Sequence, residues 1–331
     1  MSEKEDEALL EDVRTLQKAF EKIRAELRKL LVGQDNIVTF LLESLVSKGH
    51  VLVEGVPGTG KTLILRLIST VTGCQFSRIQ FTPDLLPTDI LGLTTYEEGK
   101  GFYTVKGPVF ANFVLADEIN RSPPKVQSAL LEAMQEYQVT IGKETFFLPS
   151  PFFVMATQNP LEQVGTYKLP EAQIDRFLYK IFIDYPNIED EQKILRSNMT
   201  TRKFEDFDLK AIISPDNIIH AQSVLAKIRL NSKVEKYIVR VVDATRNPDK
   251  YNISKGKYIG YGGSPRSSIG LYIAAKAHAM VDGRIYATPN DVKAIAHNVL
   301  RHRIILNFEG EAENINTNDI IDEILKKVPI I

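Results

Sequence analysis

Residues 55–62 carry the pattern most suited to binding phosphate. They read G-x-x-x-x-G-K-[ST], with the members Gly55, Val56, Pro57, Gly58, Thr59, Gly60, Lys61 and Thr62. A β-rich run at 50–54 precedes them and an apolar run at helical spacing, 63–68, follows, which is the setting this pattern requires. Glycines let backbone N–H groups curl around a phosphate, and the helix N-terminus adds a positive dipole end. A strand before the loop and a helix after it favour a phosphate-binding loop over a glycine turn that binds nothing. We therefore expect Lys61 to reach the β- and γ-phosphates and Thr62 to ligate Mg²⁺.

Two carboxylates end a later apolar run. Residues 109–116 are almost wholly apolar and are followed by Asp117 and Glu118. Such a run is typical of a strand buried on both faces of a parallel sheet, and ligands bind at the carboxyl ends of those strands. We therefore expect Asp117 to hold Mg²⁺ and Glu118 to polarise an attacking water. A solvated loop start is the alternative for an isolated Asp-Glu pair.

Three further side chains are candidates on weaker patterns. Asn159 follows a third apolar run, 152–157, and could orient the lytic water, although Asn-Pro also opens ordinary turns. Arg176 closes a short helical segment at 169–177. Arg266 follows a Ser-Pro pair, which places it in the first turn of a helix. Because the helix dipole disfavours a cation there, a nearby anion would explain its position, and an ordinary surface arginine is the alternative.

The order of these segments resembles the MoxR family of AAA+ ATPases, in the helix-2-insert clade. The resemblance extends from residue 32 to the C-terminal helix, and the segments that carry it are 49–62, 116–121, 156–160, 169–177 and 263–266. The first two of these segments occur generally in P-loop ATPases. The last three, with these residues in this order, are specific to MoxR proteins.

The resemblance implies an α/β fold, in which an AAA+ P-loop core with a parallel sheet is followed by a small all-helical lid domain. It implies ATP and Mg²⁺ as the bound groups, with adenine favoured because no guanine signature is present. It also implies a role for each polar side chain above: Walker A for Lys61 and Thr62, Walker B for Asp117 and Glu118, sensor 1 for Asn159, an arginine finger for Arg176 and sensor 2 for Arg266.

Periodicity and turn residues predict the domain organisation. We expect an N-terminal helix packing on the core in residues 1–31, the nucleotide-binding core in 32–186, a connecting helix and linker in 187–213, and the helical lid in 214–331. The first helix, predicted over 9–31, has an apolar seam at alternating steps of three and four: Val13, Leu16, Phe20, Ile23, Leu27 and Leu30. The resemblance implies a hairpin inserted into helix 2, in 89–105, and alternation predicts a second hairpin in 139–148. Ser/Thr-Pro pairs mark helix starts, with the hydroxyl residue as N-cap: Ser122-Pro123, Ser214-Pro215, Ser264-Pro265 and Thr288-Pro289.

Composition restricts the class of protein. The 331 residues carry a net charge of −1 and one cysteine, which excludes an intrachain disulfide and a cysteine-based zinc site. Near-zero charge provides no overall field for nucleic acid. The acidic N-terminus has no signal-peptide core, and no apolar run is long enough to span a bilayer. We expect a cytoplasmic protein that binds no nucleic acid and does not insert into membranes.

The resemblance also implies partners. In this fold Arg176 lies on the far side of the domain from its own P-loop, so it would act on a neighbouring subunit's nucleotide; Arg121 is the alternative. A homo-oligomeric ring follows, commonly a hexamer. The implied activity is chaperone-like remodelling of a protein client, or metal or cofactor insertion, together with a separate von Willebrand factor A domain protein.

Other functions remain open from sequence. One is the ATPase subunit of a magnesium chelatase, a cousin in the same clade. Another is a DNA-directed motor, which the lack of a dense basic cluster disfavours; residues 301–303 are the best basic patch. A nucleotide-sensing scaffold without hydrolysis is disfavoured by the complete hydrolytic set. The client is not identified.

Overall fold

The computed structural model describes residues 3–160, 165–196 and 209–330. They divide into a core unit, Ala19–Phe177 with Ile181–His220, and a lid unit, Met1–Lys18 with Leu178–Lys180 and Ala221–Ile331. The division into four segments expected from sequence remains a prediction.

The helices and strands follow the chain in this order. The α-helices are α1 Glu3–Leu27, α2 Asp35–Val46, α3 Lys61–Val71, α4 Pro87–Leu91, α5 Pro124–Glu136, α6 Glu171–Ile174, α7 Ile188–Arg196, α8 Pro215–Lys227, α9 Ser232–Arg246, α10 Pro265–Val281, α11 Pro289–Leu300, α12 Phe308–Ala312 and α13 Thr317–Lys327. The strands are β1 Val51–Gly55, β2 Phe76–Gln80, β3 Gly92–Glu97, β4 Gly101–Lys106, β5 Phe113–Asp117, β6 Gln138–Ile141, β7 Glu144–Phe147, β8 Phe153–Gln158, β9 Tyr179–Ile183, β10 Arg229–Leu230, β11 Ile259–Tyr261, β12 Tyr286–Ala287 and β13 Ile305–Leu306.

A five-stranded sheet organises the nucleotide-binding part of the chain, in the order β2-β5-β8-β1-β9. β2 pairs with β5, β5 with β8, and β8 with β1, all in parallel. Every residue of β5 is buried, as expected for a strand covered on both faces. The parallel pairing brings the carboxyl ends of β1, β5 and β8 to one edge of the sheet, and the predicted α/β core is confirmed.

The strand predicted over 109–116 is shorter than expected, since β5 begins only at Phe113. Val109 and Ala111 are buried in the turn that precedes it. The Asn112 side chain supplies the reason. Its Oδ1 accepts from the Gln75 N–H (3.2 Å) and its Nδ2 donates to the Pro151 carbonyl (3.0 Å), so side-chain bonds replace ladder bonds at this point.

The two predicted hairpins are present. β3 and β4 pair in antiparallel register from Gly92–Lys106 to Glu97–Gly101, and β6 pairs with β7. The Lys106 ammonium lies 4.9 Å from the ring centroids of both Phe110 and Phe146. This cation–π pair joins the base of the first hairpin to a strand of the second.

The N-terminal helix α1 begins and ends earlier than predicted, at Glu3 and Leu27. All six residues of its apolar seam are buried within this chain. Leu30 therefore contributes to the core from the turn after the helix.

Helix starts agree with the Ser/Thr-Pro pattern except at one place. The Ser264 hydroxyl accepts from the Arg266 N–H, and Thr288 forms a capping box with Asp291. The prediction for Ser122 is wrong, because Pro123 is the N-cap and α5 begins at Pro124. The Ser122 hydroxyl is turned back to the Ile119 carbonyl, 3.3 Å away, and is not available to cap the helix.

The predicted helical lid is confirmed, with two small additions. Six helices, α8 to α13, lie in the described residues from Pro215 to Lys327. Short strands pair as β10 with β12 and β11 with β13, which sequence periodicity did not predict. The connecting helix expected within 187–213 is observed as α7. Residues 197–208 of that segment lie outside the described residues. Among the described helices, none is both long enough and apolar enough to cross a membrane.

Candidate active site

The phosphate-binding pattern and the acidic strand end face one cavity of about 410 Å³ in the core unit. Its lining comes from the loop, the start of α3 and the carboxyl ends of β5 and β8: Pro57, Gly58, Thr59, Gly60, Lys61, Thr62, Leu63, Asp117, Glu118, Thr157, Gln158 and Asn159. The volume is within the range of small-molecule sites. The structure thus brings together the predicted Walker A, Walker B and sensor 1 side chains.

Backbone conformation explains the loop glycines. Gly58 and Gly60 have φ angles of 81° and 79°, in the left-handed region that side-chain-bearing residues rarely adopt. No atom lies within 4 Å of a Cβ built at either position, so the conformation and not the available space requires glycine. Gly60 is the N-cap of α3, and the positive end of the helix dipole therefore begins at Lys61.

Lys61 is held by its own loop. Its Nζ donates to the carbonyls of Gly55 (2.9 Å) and Val56 (2.7 Å). Burial lowers the pKa of the ammonium, while the nearby carboxylates of Asp117 and Glu118 act in the opposite direction. The cation is positioned between the loop and the acidic pair, where phosphate oxygens could replace the loop carbonyls.

Both oxygens of the Asp117 carboxylate accept hydrogen bonds. Oδ2 accepts from Arg78 Nη2 (2.7 Å) and Nε (3.1 Å), and Oδ1 accepts from the Thr157 hydroxyl (2.7 Å). Only 12% of the side chain is exposed. The charge is therefore compensated, and the carboxylate is held in one orientation toward the cavity.

Glu118 has an unusual backbone. Its φ and ψ of 57° and 50° lie in the left-handed region, which is rare for a residue with a long side chain and often marks a functional site. Its N–H donates to the Thr157 hydroxyl (2.8 Å). Its Oε2 accepts from Gln80 Nε2 (2.8 Å) and Arg121 Nη1 (3.0 Å). These contacts hold the turn and its carboxylate at the cavity wall.

Three residues of this network were not identified from sequence: Arg78, Gln80 and Thr157. Arg78 and Gln80 are two apart on β2, so both point to the same face of the sheet. The sequence signal was that these two polar residues flank the apolar Ile79 near the end of a strand. This pattern does not show which strand lies next to β2. Thr157 is fully buried and was read as the end of an apolar run.

The remaining predicted residues lie in different places. Asn159 is 7% exposed and lines the cavity. Arg176 is half-buried in the core unit, where Nη1 donates to the Leu131 carbonyl (3.3 Å); it is not among the described residues that line the cavity. Arg121 contacts Glu118 of the same chain. Arg266 is exposed in the first turn of α10, within the lid unit.

The donor set at the cavity fits a magnesium ion. A threonine (Thr62) and a carboxylate (Asp117) both line the cavity, and hard oxygen ligands are those that Mg²⁺ prefers. One oxygen of Asp117 is shared with Arg78, so a metal and the guanidinium would compete for it.

Models of two known families match this chain. The model of the ATPase family associated with various cellular activities (AAA) matches residues 50–179, and an AAA lid domain model matches residues 255–324. A solved structure of a proposed ATPase from Cytophaga hutchinsonii has a TM-score of 0.91 and 46% identity, covering 99% of each chain.

Curated relatives narrow the class. Chaperone MoxR1 of Mycobacterium tuberculosis is 47% identical over 98% of this chain and 84% of its own length. Protein MoxR of Methylorubrum extorquens is 29% identical over 98% of this chain and 97% of its own length. The fold and the phosphate-binding loop define an AAA ATPase. The chain belongs to the MoxR family of these ATPases. It therefore binds and hydrolyses ATP, and AAA proteins of this family are typically oligomeric.

Proposed function

We propose that the chain hydrolyses ATP with Mg²⁺ at the core-unit cavity and uses the energy to remodel a protein client. The observation that carries the site is the convergence of Lys61, Asp117 and Glu118 on one cavity of about 410 Å³. In phosphoryl transfer, positioning and electrostatics supply most of the catalysis, and this cavity offers both.

Each side chain has a role in this proposal. The loop amides and Lys61 bind the triphosphate. Thr62 and Asp117 would hold Mg²⁺, which supplies charge neutralisation at the phosphate oxygens. Glu118 accepts a proton from the attacking water, and Asn159 orients that water. Thr157 and Arg78 hold the Asp117 carboxylate in place. Gln80 and Arg121 hold that of Glu118.

We also propose that the site is completed by a neighbouring subunit in a ring, commonly a hexamer. Arg176 is the residue assigned as the finger that acts in trans, with Arg266 of the lid serving as sensor 2. Arg121 is less suited to a trans role because it already bonds Glu118 of its own chain. A guanidinium at the γ-phosphate would stabilise the charge that develops during transfer.

The proposal that this chain acts on a protein client depends on its relatives. One of them is named a chaperone, and the match to it covers 98% of this chain and 84% of that protein. We propose the same class of work here: maturation of a protein client, including metal or cofactor insertion, together with a von Willebrand factor A domain protein.

A Glu118→Gln variant tests the catalytic assignment. We expect ATP binding within about threefold of wild type and a loss of turnover of about 10²–10⁴, because the amide cannot accept the proton. Nucleotide binding is measured with a fluorescent analogue and turnover by phosphate release. Glu132→Gln, at an exposed position on α5, is the matched control and should change neither. Equal loss of binding and turnover in Glu118→Gln would show that Glu118 binds nucleotide and does not act as the base.

A further inference from the structure

The lid unit contains a second, basic cavity of about 620 Å³. Four cationic side chains line it: Arg240, Arg246, Lys250 and Lys327. The remaining wall is mixed: Val239, Asp243, Tyr251, Asn252, Ser268 and Pro329. No residue is shared with the wall of the nucleotide cavity. One acidic side chain among four cations leaves an excess of positive charge.

The two lysines have carboxylate partners. Lys250 Nζ lies 2.8 Å from Asp243 Oδ2, and Lys327 Nζ lies 2.7 Å from Glu323 Oε1. Hydrogen bonds from Lys250, Tyr251 and Asn247 lower the pKa of Asp243 to about 2, so this carboxylate stays ionised and remains committed to its lysine.

The two arginines differ from the lysines. Arg246 donates from Nε to the Gly263 carbonyl (2.6 Å), which is a neutral acceptor. Arg240 Nη1 is buried and has no hydrogen-bond partner in the described part of the chain. Neither guanidinium forms an ion pair among the residues of 3–160, 165–196 and 209–330. A buried, unpartnered charged donor is costly, and such a group calls for a bound anion or an ordered water.

Helix dipoles explain only part of this arrangement. Arg246 and Lys327 lie in the last turns of α9 and α13, where cations are favoured without any ligand. Arg240 lies well before the last turn of α9, so the dipole does not account for it. Arg240, Asp243 and Arg246 follow one another at helical spacing on the face of α9 that lines the cavity.

We propose that this cavity binds a small multivalent oxyanion, phosphate- or carboxylate-bearing, on the guanidinium groups of Arg240 and Arg246. Guanidinium is planar and offers paired N–H donors that match both kinds of oxyanion. Val239 and Pro329 provide apolar wall for the body of such a ligand, and the cavity volume is within the range of small-molecule sites.

The experiment uses the full chain carrying Lys61→Ala, so that phosphate binding at the nucleotide loop is removed. Pyrophosphate and citrate are titrated separately by isothermal calorimetry at low and physiological salt. We expect one or both to bind with 1:1 stoichiometry, and Arg240→Gln in the same background to weaken binding by about 10–100-fold. Arg240→Lys keeps the charge but lacks the paired donors. Its affinity for the probe should therefore lie between those of the Arg240 protein and the Arg240→Gln variant.

Lys227→Gln is the matched control, because it removes an exposed lid cation that does not line the cavity. Arg246→Gln is a second variant, and circular dichroism checks the fold of each protein. Binding of pyrophosphate alone would assign the phosphate class, and binding of citrate alone the carboxylate class. No binding of either probe at millimolar concentration, or an equal loss in Lys227→Gln and Arg240→Gln, would overturn the proposal.

Discussion

At the scale of single residues, the Thr157 hydroxyl has an unusual position because it serves both acidic residues. It donates to Asp117 Oδ1 (2.7 Å) and accepts from the Glu118 N–H (2.8 Å). One buried oxygen therefore joins the carboxylate proposed to bind Mg²⁺ to the left-handed backbone of the proposed base.

Thr157→Val tests this bridge with almost no change in volume. The substitution leaves the half-buried Glu118 N–H and the buried Asp117 Oδ1 each short of one partner. We therefore expect a loss of about 1–3 kcal/mol in the free energy of unfolding. Turnover should fall about tenfold or more while ATP binding changes little. Urea denaturation and phosphate release are the measurements. Thr157→Ser keeps the hydroxyl and is expected to stay near wild type; equal losses in both variants would assign the effect to packing.

The residues of the site were predictable from sequence to different degrees. Lys61, Thr62 and the loop glycines lie at fixed local spacings. Asp117 ends, and Glu118 follows, a strand whose other residues are apolar. Arg78, Gln80 and Thr157 depend on strand register: Gln80 lies opposite Asp117, and Ala116 opposite Ala156. Register is set by the assembled sheet, and a single sequence does not contain it.

At the scale of elements, hydrophobic periodicity predicted most helices and strands, and side-chain bonds changed their ends. Asn112 delays the start of β5, and the Ser122 hydroxyl turns back to a carbonyl where an N-cap was expected. Both are local competitions between side chain and backbone that apolar patterns do not record. The two-residue strands of the lid are too short for any periodicity to show.

Glu323 on α13 gives a pH prediction for one element. Its carboxylate accepts from the Ser254 and Lys255 N–H groups (2.8 and 2.9 Å) and holds the 3₁₀ turn Ser254–Tyr258 against the helix. Burial alone would raise the pKa of Glu323, but hydrogen bonds from Lys327, Ser254 and Lys255 outweigh it and lower the pKa to about 2. A carboxylate whose pKa is lower in the folded state stabilises that state at pH values above its unfolded-state pKa. This stabilisation is lost as the pH falls toward the folded-state pKa.

We expect Glu323→Gln to lower the free energy of unfolding by about 1.5–3 kcal/mol at pH 7, the usual range for hydrogen bonds to a charged group. The difference from wild type should shrink as pH falls from about 4.5 toward about 2, where the wild-type carboxylate becomes protonated. Urea denaturation at several pH values measures it. Glu311→Gln, exposed on α12, is the control. A difference that stays constant with pH would mean that the charge of Glu323 does not hold the turn.

At the scale of the whole molecule, the order of the motifs predicted the family, and the comparisons over 98% of the chain confirm it. The order of the motifs does not by itself predict the contacts between subunits. The trans role proposed for Arg176 requires a neighbouring subunit, and it is tested in the assembled ring.

Mixing two inactive variants tests the shared site. Arg176→Ala should keep ATP binding and lose about 10³–10⁵ in turnover, as arginine fingers do elsewhere. Lys61→Ala should lose ATP binding. In mixed rings some interfaces join an intact loop to an intact finger, so turnover should partly return in proportion to mixing. Native mass spectrometry confirms mixed rings. Mixed rings without recovery would place the finger in cis or assign it to another arginine.

The pair between Arg78 and Asp117 has a consequence for biogenesis. A carboxylate intended for a divalent ion would ordinarily leave an uncompensated negative charge in a nascent chain, and many small metalloproteins fold only after their ion arrives. Here the counter-charge belongs to the same polypeptide, on the neighbouring strand. The core therefore does not need an ion to compensate Asp117, and the proposed Mg²⁺ would enter by exchange with the guanidinium on a fold already formed.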